Sequence, residues 1–267
     1  YWRDWSSDVC SSDLCRRIAL MLMAGVMGAA VALPGQAQGT WPTRTVRIIV
    51  PFAPGGGSDV SARVLAEQLS PQLGQAVIVE NKPGAGSVLG TAHVAKAKPD
   101  GDTLLFVSST YTTSAASWKE LPYDPLADLA PVGLAAVGQM VVITGTRVPM
   151  PTLKDLVATA KTQTLFYGTA GVGSAPNFSA ELLNDVAGIR MQPVHYKGGT
   201  EALVDLVAGR TDAYVGTLTT VLPIIADGKA TAVAIASTTR AKALPDVPTV
   251  AEAGFPGAES DFWWAVF

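Results

Sequence analysis

Between Arg47 and Leu69 the spacing of apolar residues changes period. Ile48, Ile49 and Val50 form a short β-branched run, Pro51 and Pro54 bracket a bend, and Gly55, Gly56 and Gly57 follow. Ala62, Leu65 and Leu69 then recur three and four apart, with Val60 and Val64 on the shoulder of the same face. The pattern predicts strand, glycine loop and helix, with Ser58 and Asp59 in the first turn, where oxygen-bearing side chains are favoured. Bare backbone beside the unpaired N–H groups of a new helix suits an anion, although a glycine loop also serves simply to reverse a chain.

The alternation continues. Ala76 to Glu80 predicts a strand, Asn81 to Ser87 a second glycine loop leading to a helix through Ala97, and Thr103 to Val107 a third strand ending in the polar run Ser108 to Thr113. Hydroxyls at the carboxyl end of a parallel strand are placed for a ligand or for capping a helix. Val137 to Ile143 reads as one strand and Leu153 to Lys161 as a helix. Leu165 to Ala187 repeats the opening unit: a strand, the loop Gly168 to Gly173, and a helix capped by Ser174 with Pro176 in its first turn. Phe178, Leu182 and Val186 mark its expected buried face, and Gly188 its end. Met191 to Tyr196, Asp212 to Val215 and Ala232 to Ser237 predict strands, while Glu201 to Ala208, Val221 to Ala226 and Pro248 to Ala253 predict helices. Strands alternating with helices define an α/β fold with mostly parallel sheets.

Two glycine loops that each open a helix could face one another and clamp an anion. Charge-assisted hydrogen bonds of roughly 1.5 to 3 kcal/mol each would yield micromolar binding, about −8 kcal/mol, after ordering costs. The first loop is neither usual phosphate loop, because Val60 stands where the dinucleotide fingerprint needs glycine and no Gly-Lys-Ser/Thr follows.

The first residues differ in kind. Residues 1–14 show no apolar period and read as a non-native leader, whereas Arg16 and Arg17 precede an apolar run from Ile18 to Leu33 and the small residues of Gly35-Gln36-Ala37. Residues 15–37 are therefore expected to be a secretory signal peptide. Of 19 basic and 22 acidic residues, cleavage near Ala37 removes three of each, leaving 16 and 19 and the same net charge of −3. It also removes Cys10 and Cys15, so neither a disulfide nor a thiolate metal site is expected. Mild acidity gives no reason to expect nucleic acid, and His93 and His195 have no ligand-spaced neighbours for a metal. No Gly-x-Ser-x-Gly elbow is present, and His195 and Tyr196 point to opposite faces of a strand, which argues against an enzyme. The chain ends inside the apolar run Phe262 to Phe267, which reads as an incomplete domain.

Thr45 to Asp59, Val77 to Gly86 (VIVENKPGAG), Pro99 to Leu105 (PDGDTLL), Leu121 to Pro131, Gly168 to Ser174, Tyr196 to Gly198 and Leu244 to Gly254 (LPDVPTVAEAG) together resemble the tripartite tricarboxylate transporter substrate-binding proteins, the Bug or TctC family. The resemblance implies a two-lobed periplasmic binding protein of type II, each lobe a mostly parallel sheet flanked by helices. Lobe 1 would span 38–141 with a return segment at 257–267, its remainder missing, and lobe 2 would span 142–256. Such a receptor would act as a monomer without a cofactor, closing on a small organic acid for a membrane transporter or, alternatively, a sensor kinase. Carried over, the ligand-binding positions are Phe52, Ala53, Gly55, Gly56, Gly57, Ser58, Asp59, Gly86, Ser87 and Ser108 in lobe 1, and Thr169, Gly173, Ser174 and Asn177 in lobe 2. Asp59 has a competing role, satisfying the helix dipole. Three positions depart from the family pattern: Asn177 replaces a frequent histidine, Gly216 a frequent aspartate and Asp102 a usual tyrosine. Without an acid at Gly216 an ammonium-bearing ligand is disfavoured against a plain mono- or dicarboxylate.

Overall fold

A computed structural model of the protein describes residues 41–267, of which Pro42–Phe267 form one compact unit. The leader and signal-peptide expectations lie outside the described residues.

The first sheet begins with β1 (Val46–Val50), whose glycine loop opens α1 (Gly57–Leu73). β2 (Val77–Asn81), α2 (Val88–Ala95), β3 (Thr103–Ser108), α3 (Thr110–Ser117) and β4 (Gly133–Gly138) follow. The second sheet contains β5 (Met140–Gly145), α4 (Leu153–Thr162), β6 (Phe166–Thr169), α5 (Ala175–Ala187) and β7 (Gln192–His195). α6 (Gly199–Val207), β8 (Ala213–Thr217), α7 (Leu218–Ala226) and β9 (Ala230–Ile235) complete it, and the chain then returns as β10 (Phe262–Val266).

Strand order is β2-β1-β3-β10-β4 in one sheet and β7-β6-β8-β5-β9 in the other. β1 runs parallel to β2 and β3, and β6 runs parallel to β7 and β8. One strand in each sheet runs against its neighbours: β10 against β3 and β4, and β5 against β8 and β9. These are the two strands that enter from the opposite lobe, so the reversal and the crossing are one topological fact.

Four local expectations change. The single strand expected over Val137 to Ile143 is two strands in different sheets, broken at Gln139, because the chain crosses between lobes there. Met140 and Val141 consequently lie in the second sheet. Val60 and Val64 are exposed, while Ala62 and Ala66 form the buried stripe of α1, since small residues let the helix lie close to its sheet. In α5 the buried positions are Ala175, Pro176, Ser179, Ala180, Leu183, Asn184 and Ala187, whereas Phe178 and Val186 are exposed. Bulk alone misplaced that face; Ser179 points inward because its hydroxyl pairs with that of Ser260 at 2.7 Å. Pro248 to Ala253 forms turns around a bridge between Ile235 and Thr249, not a helix.

Candidate ligand-binding cleft

The glycine loop after β1 meets the second lobe at a cavity of about 50 Å³. Phe52, Ala53, Gly56, Gly57, Ser58, Ser108, Thr110 and Phe262 line it from the first lobe, and Ala170, Pro176, Gly199, Tyr214, Thr217 and Thr220 from the second. None of these side chains is charged, so an ion held here is met by hydroxyls, backbone N–H groups and helix ends.

α1 supplies the first such end. Its cap position is Gly56, with no side-chain cap, and the first intrahelical bond runs from Val60 N–H to Gly56 C=O at 3.0 Å. The N–H groups of Gly56, Gly57 and Ser58 have no acceptor among the described residues. Beside them the Ser58 hydroxyl accepts a hydrogen bond from Trp264 Nε1 at 3.0 Å, which leaves its own proton to donate.

Asp59, in the same turn, is committed elsewhere. Its carboxylate accepts from Gly55 N–H (2.9 Å), Asn81 Nδ2 (2.9 Å) and Arg63 Nε (3.1 Å). Burial opposes its ionisation, but the hydrogen bonds from Arg63, Gly55 and Asn81 outweigh that and hold its pKa below the usual carboxylate value. This side chain ties the loop to β2 and turns its charge away from the cavity.

The lobes are in direct contact around the cavity. Ala175 N–H, first in α5, donates to Thr110 Oγ1 at 3.0 Å, and Thr113 Oγ1 donates to Gly173 C=O at 2.7 Å. Ser114 Oγ donates to Gly86 C=O at 2.8 Å, tying α3 to the second glycine loop. Glycines permit these approaches: a Cβ on Gly86 would collide with the Val172 carbonyl, and one on Gly57 would stand 2.8 Å from Thr217 Oγ1.

Among the sequence-derived candidates, Phe52, Ala53, Gly56, Gly57, Ser58 and Ser108 come together at the cavity. Gly55 lines the adjoining groove beside Thr200. Gly86 packs against the facing lobe, and Ser87 is buried in a left-handed conformation (φ 82°) with an unpartnered hydroxyl. Thr169, Gly173, Ser174 and Asn177 lie outside the cavity lining. Their polar groups are engaged within the second lobe: Thr169 Oγ1 meets His195 Nδ1 at 2.8 Å, Ser174 caps Asn177 N–H, and Asn177 Oδ1 accepts from Gly173 N–H at 3.1 Å. The expected anion site at the start of α5 is thus occupied by Thr110 and Ser174, and Pro176 brings no N–H. The second-lobe helix ends that line the cavity are those of α5 through Pro176, which offers no N–H, of α6 at Gly199 and of α7 at Thr217.

Tyr214, Thr217 and Thr220 escape sequence reasoning, whereas Thr110 falls in the polar run that it offers for a ligand or a cap. Tyr214 sits in a strand, AYVGT, that reads as core and is buried throughout.

Two lobes, each a largely parallel sheet with one reversed crossing strand, around a cleft lined by helix ends, define a periplasmic binding protein. Residues 61–267 match the tripartite tricarboxylate transporter family receptor, TctC, and the chain belongs to that family. It is 39% identical over 254 residues to an Agrobacterium vitis protein from the TAR-I ttuE-ttuC' intergenic region, covering 94% of this chain and 72% of the relative. It is 36% identical to BugT of Bordetella pertussis, with 94% and 78% covered. Among solved structures, the periplasmic binding protein BugD superposes with a TM-score of 0.81 at 35% identity, covering 85% of this chain and 76% of that one. MatC from Rhodopseudomonas palustris, with bound malate, gives 0.82 at 34%, covering 85% and 78%. A further R. palustris protein, with adipate, gives 0.81 at 32%, covering 85% and 77%. The protein is accordingly a solute-binding receptor and not an enzyme.

Proposed function

We propose that this receptor binds a small organic acid in the cavity between its lobes and delivers it to a tripartite tricarboxylate-type membrane transporter, working in the periplasm after export by its signal peptide. The observation that carries the reading is the row of unengaged N–H groups at Gly56, Gly57 and Ser58, opening a helix onto a cavity with no charged side chain. Amides at a helix N-terminus favour a carboxylate, and the absence of a carboxylate in the wall disfavours an ammonium group. The malate and adipate of the two R. palustris structures belong to the same chemical class.

On this reading Phe52, Ala53, Gly56, Gly57, Ser58 and Ser108 meet the acid directly. Gly55, Asp59, Gly86, Ser87, Thr169, Gly173, Ser174 and Asn177 support the loops that enclose it. The test is a thermal-shift series with succinate, malate, adipate, glutamate and lysine. An acid at a hundred times its dissociation constant adds about 2.7 kcal/mol, a shift of several degrees. A shift with lysine and none with any acid would overturn the reading.

A further inference from the structure

Tyr214 is buried, and its ring packs with Val141, Ile143, Ala202 and Leu203. Its hydroxyl makes no hydrogen bond to any described residue, although Tyr214 lines the ligand cavity. With its residue in the cavity wall and its proton uncommitted, the hydroxyl is free to donate to a ligand held there. Two glycines make room for the phenol. Gly216, two residues on and therefore on the same face of β8, would drive a Cβ into the ring; Gly199 at the start of α6 would drive one into the hydroxyl. The other hydroxyls of this wall are spoken for: Thr220 Oγ1 donates to Thr217 C=O at 2.8 Å and stands 2.9 Å from Thr217 Oγ1. Burial raises the phenol's pKa, which keeps its proton in place as a donor at neutral pH.

We propose that Tyr214, standing in the space left by Gly216, donates to the second carboxylate of a short dicarboxylic acid whose first carboxylate lies on Gly56, Gly57 and Ser58. This rests on the proposed function and narrows it: the second-lobe wall reads a second acceptor by a neutral hydroxyl, with no anion to receive an amine. Tyr214 is then the residue that separates dicarboxylates from monocarboxylates of equal length.

Calorimetric titration of the parent protein and of Tyr214→Phe with succinate and with butyrate tests it, since the two probes share a four-carbon chain and differ by one carboxylate. The parent is expected to prefer succinate, and Tyr214→Phe to lose about tenfold or more on succinate while butyrate moves by less than about twofold. Tyr214→Met, of similar bulk without the hydroxyl, should repeat the selective loss. The assignment to Tyr214 is overturned if the variants lose both probes equally, if they lose neither, or if the parent takes butyrate as tightly as succinate; acid binding itself would survive each result. A parent that binds neither probe, nor malate or adipate, would instead overturn the proposed function, and the role of Tyr214 with it.

Discussion

Trp264 Nε1 donates to Ser58 Oγ at 3.0 Å, a contact between residues 206 positions apart that joins the returning strand β10 to the first turn of α1. Trp264 also meets the Phe262 ring edge-on at 4.7 Å and is itself buried. The crossing strand therefore fixes the rotamer of a hydroxyl at the ligand end of the opening helix.

Removing one side of this pair leaves a buried donor unmet. Ser58→Ala should cost about 1–3 kcal/mol, a few degrees in melting temperature, because the indole N–H loses its acceptor. Ser58→Ala combined with Trp264→Phe should lose less than the sum of the two single changes. Chemical denaturation of the four proteins measures the coupling, and strict additivity would contradict it.

Thr110 ties the two lobes together at the start of α5. Thr110→Val keeps the side-chain shape but removes the acceptor of Ala175 N–H, so the first donor of α5 is stranded where the lobes meet. Affinity for an acid should fall about tenfold while the secondary structure is unchanged, read by titration and circular dichroism. An unaltered affinity would show that this bond does not contribute to closure.

Gly86→Ala tests the same contact by steric means. The added methyl collides with the Val172 carbonyl, and the left-handed backbone (φ 58°) disfavours alanine as well. Small-angle scattering with saturating succinate should find the variant more open than the parent; identical profiles would contradict the collision.

Asp59 gives the loop a pH dependence. Its pKa is lowered on folding, so its contribution is complete above the unfolded carboxylate value, about 3.9, and is lost as pH falls through the folded value below it. The melting-temperature difference between the parent and Asp59→Asn should be largest near neutrality and shrink from about pH 4 downward. A difference constant with pH would show that the Arg63 and Asn81 bonds do not depend on the charge.

The period change from Ile48–Val50 to Ala62–Leu69 makes the first strand, loop and helix legible, together with the free amides at Gly56 and Gly57. The same logic applied to Gly168–Ser174 finds the loop and the helix but not their use. Whether the amides of α5 are free depends on Thr110, 65 positions away in the other lobe, and no local pattern carries that contact. The crossing at Gln139 is hidden likewise, since Val137 to Ile143 is apolar on both sides of the break and only sheet pairing separates its halves. Tyr214 is the sharpest case. Burial of a large aromatic in a strand reads as core, and its polar end becomes evident only when Gly199 and Gly216 are brought against it.

Amide chemical shifts followed during a succinate titration test the cleft most directly. Carboxylate binding at the opening helix should move the Gly56, Gly57 and Ser58 N–H resonances downfield, saturating together with Gly199, as charge-assisted hydrogen bonds form. Changes confined to Gly171–Asn177, with Gly56 to Ser58 unmoved, would contradict the cleft as drawn and return the ligand to the start of α5.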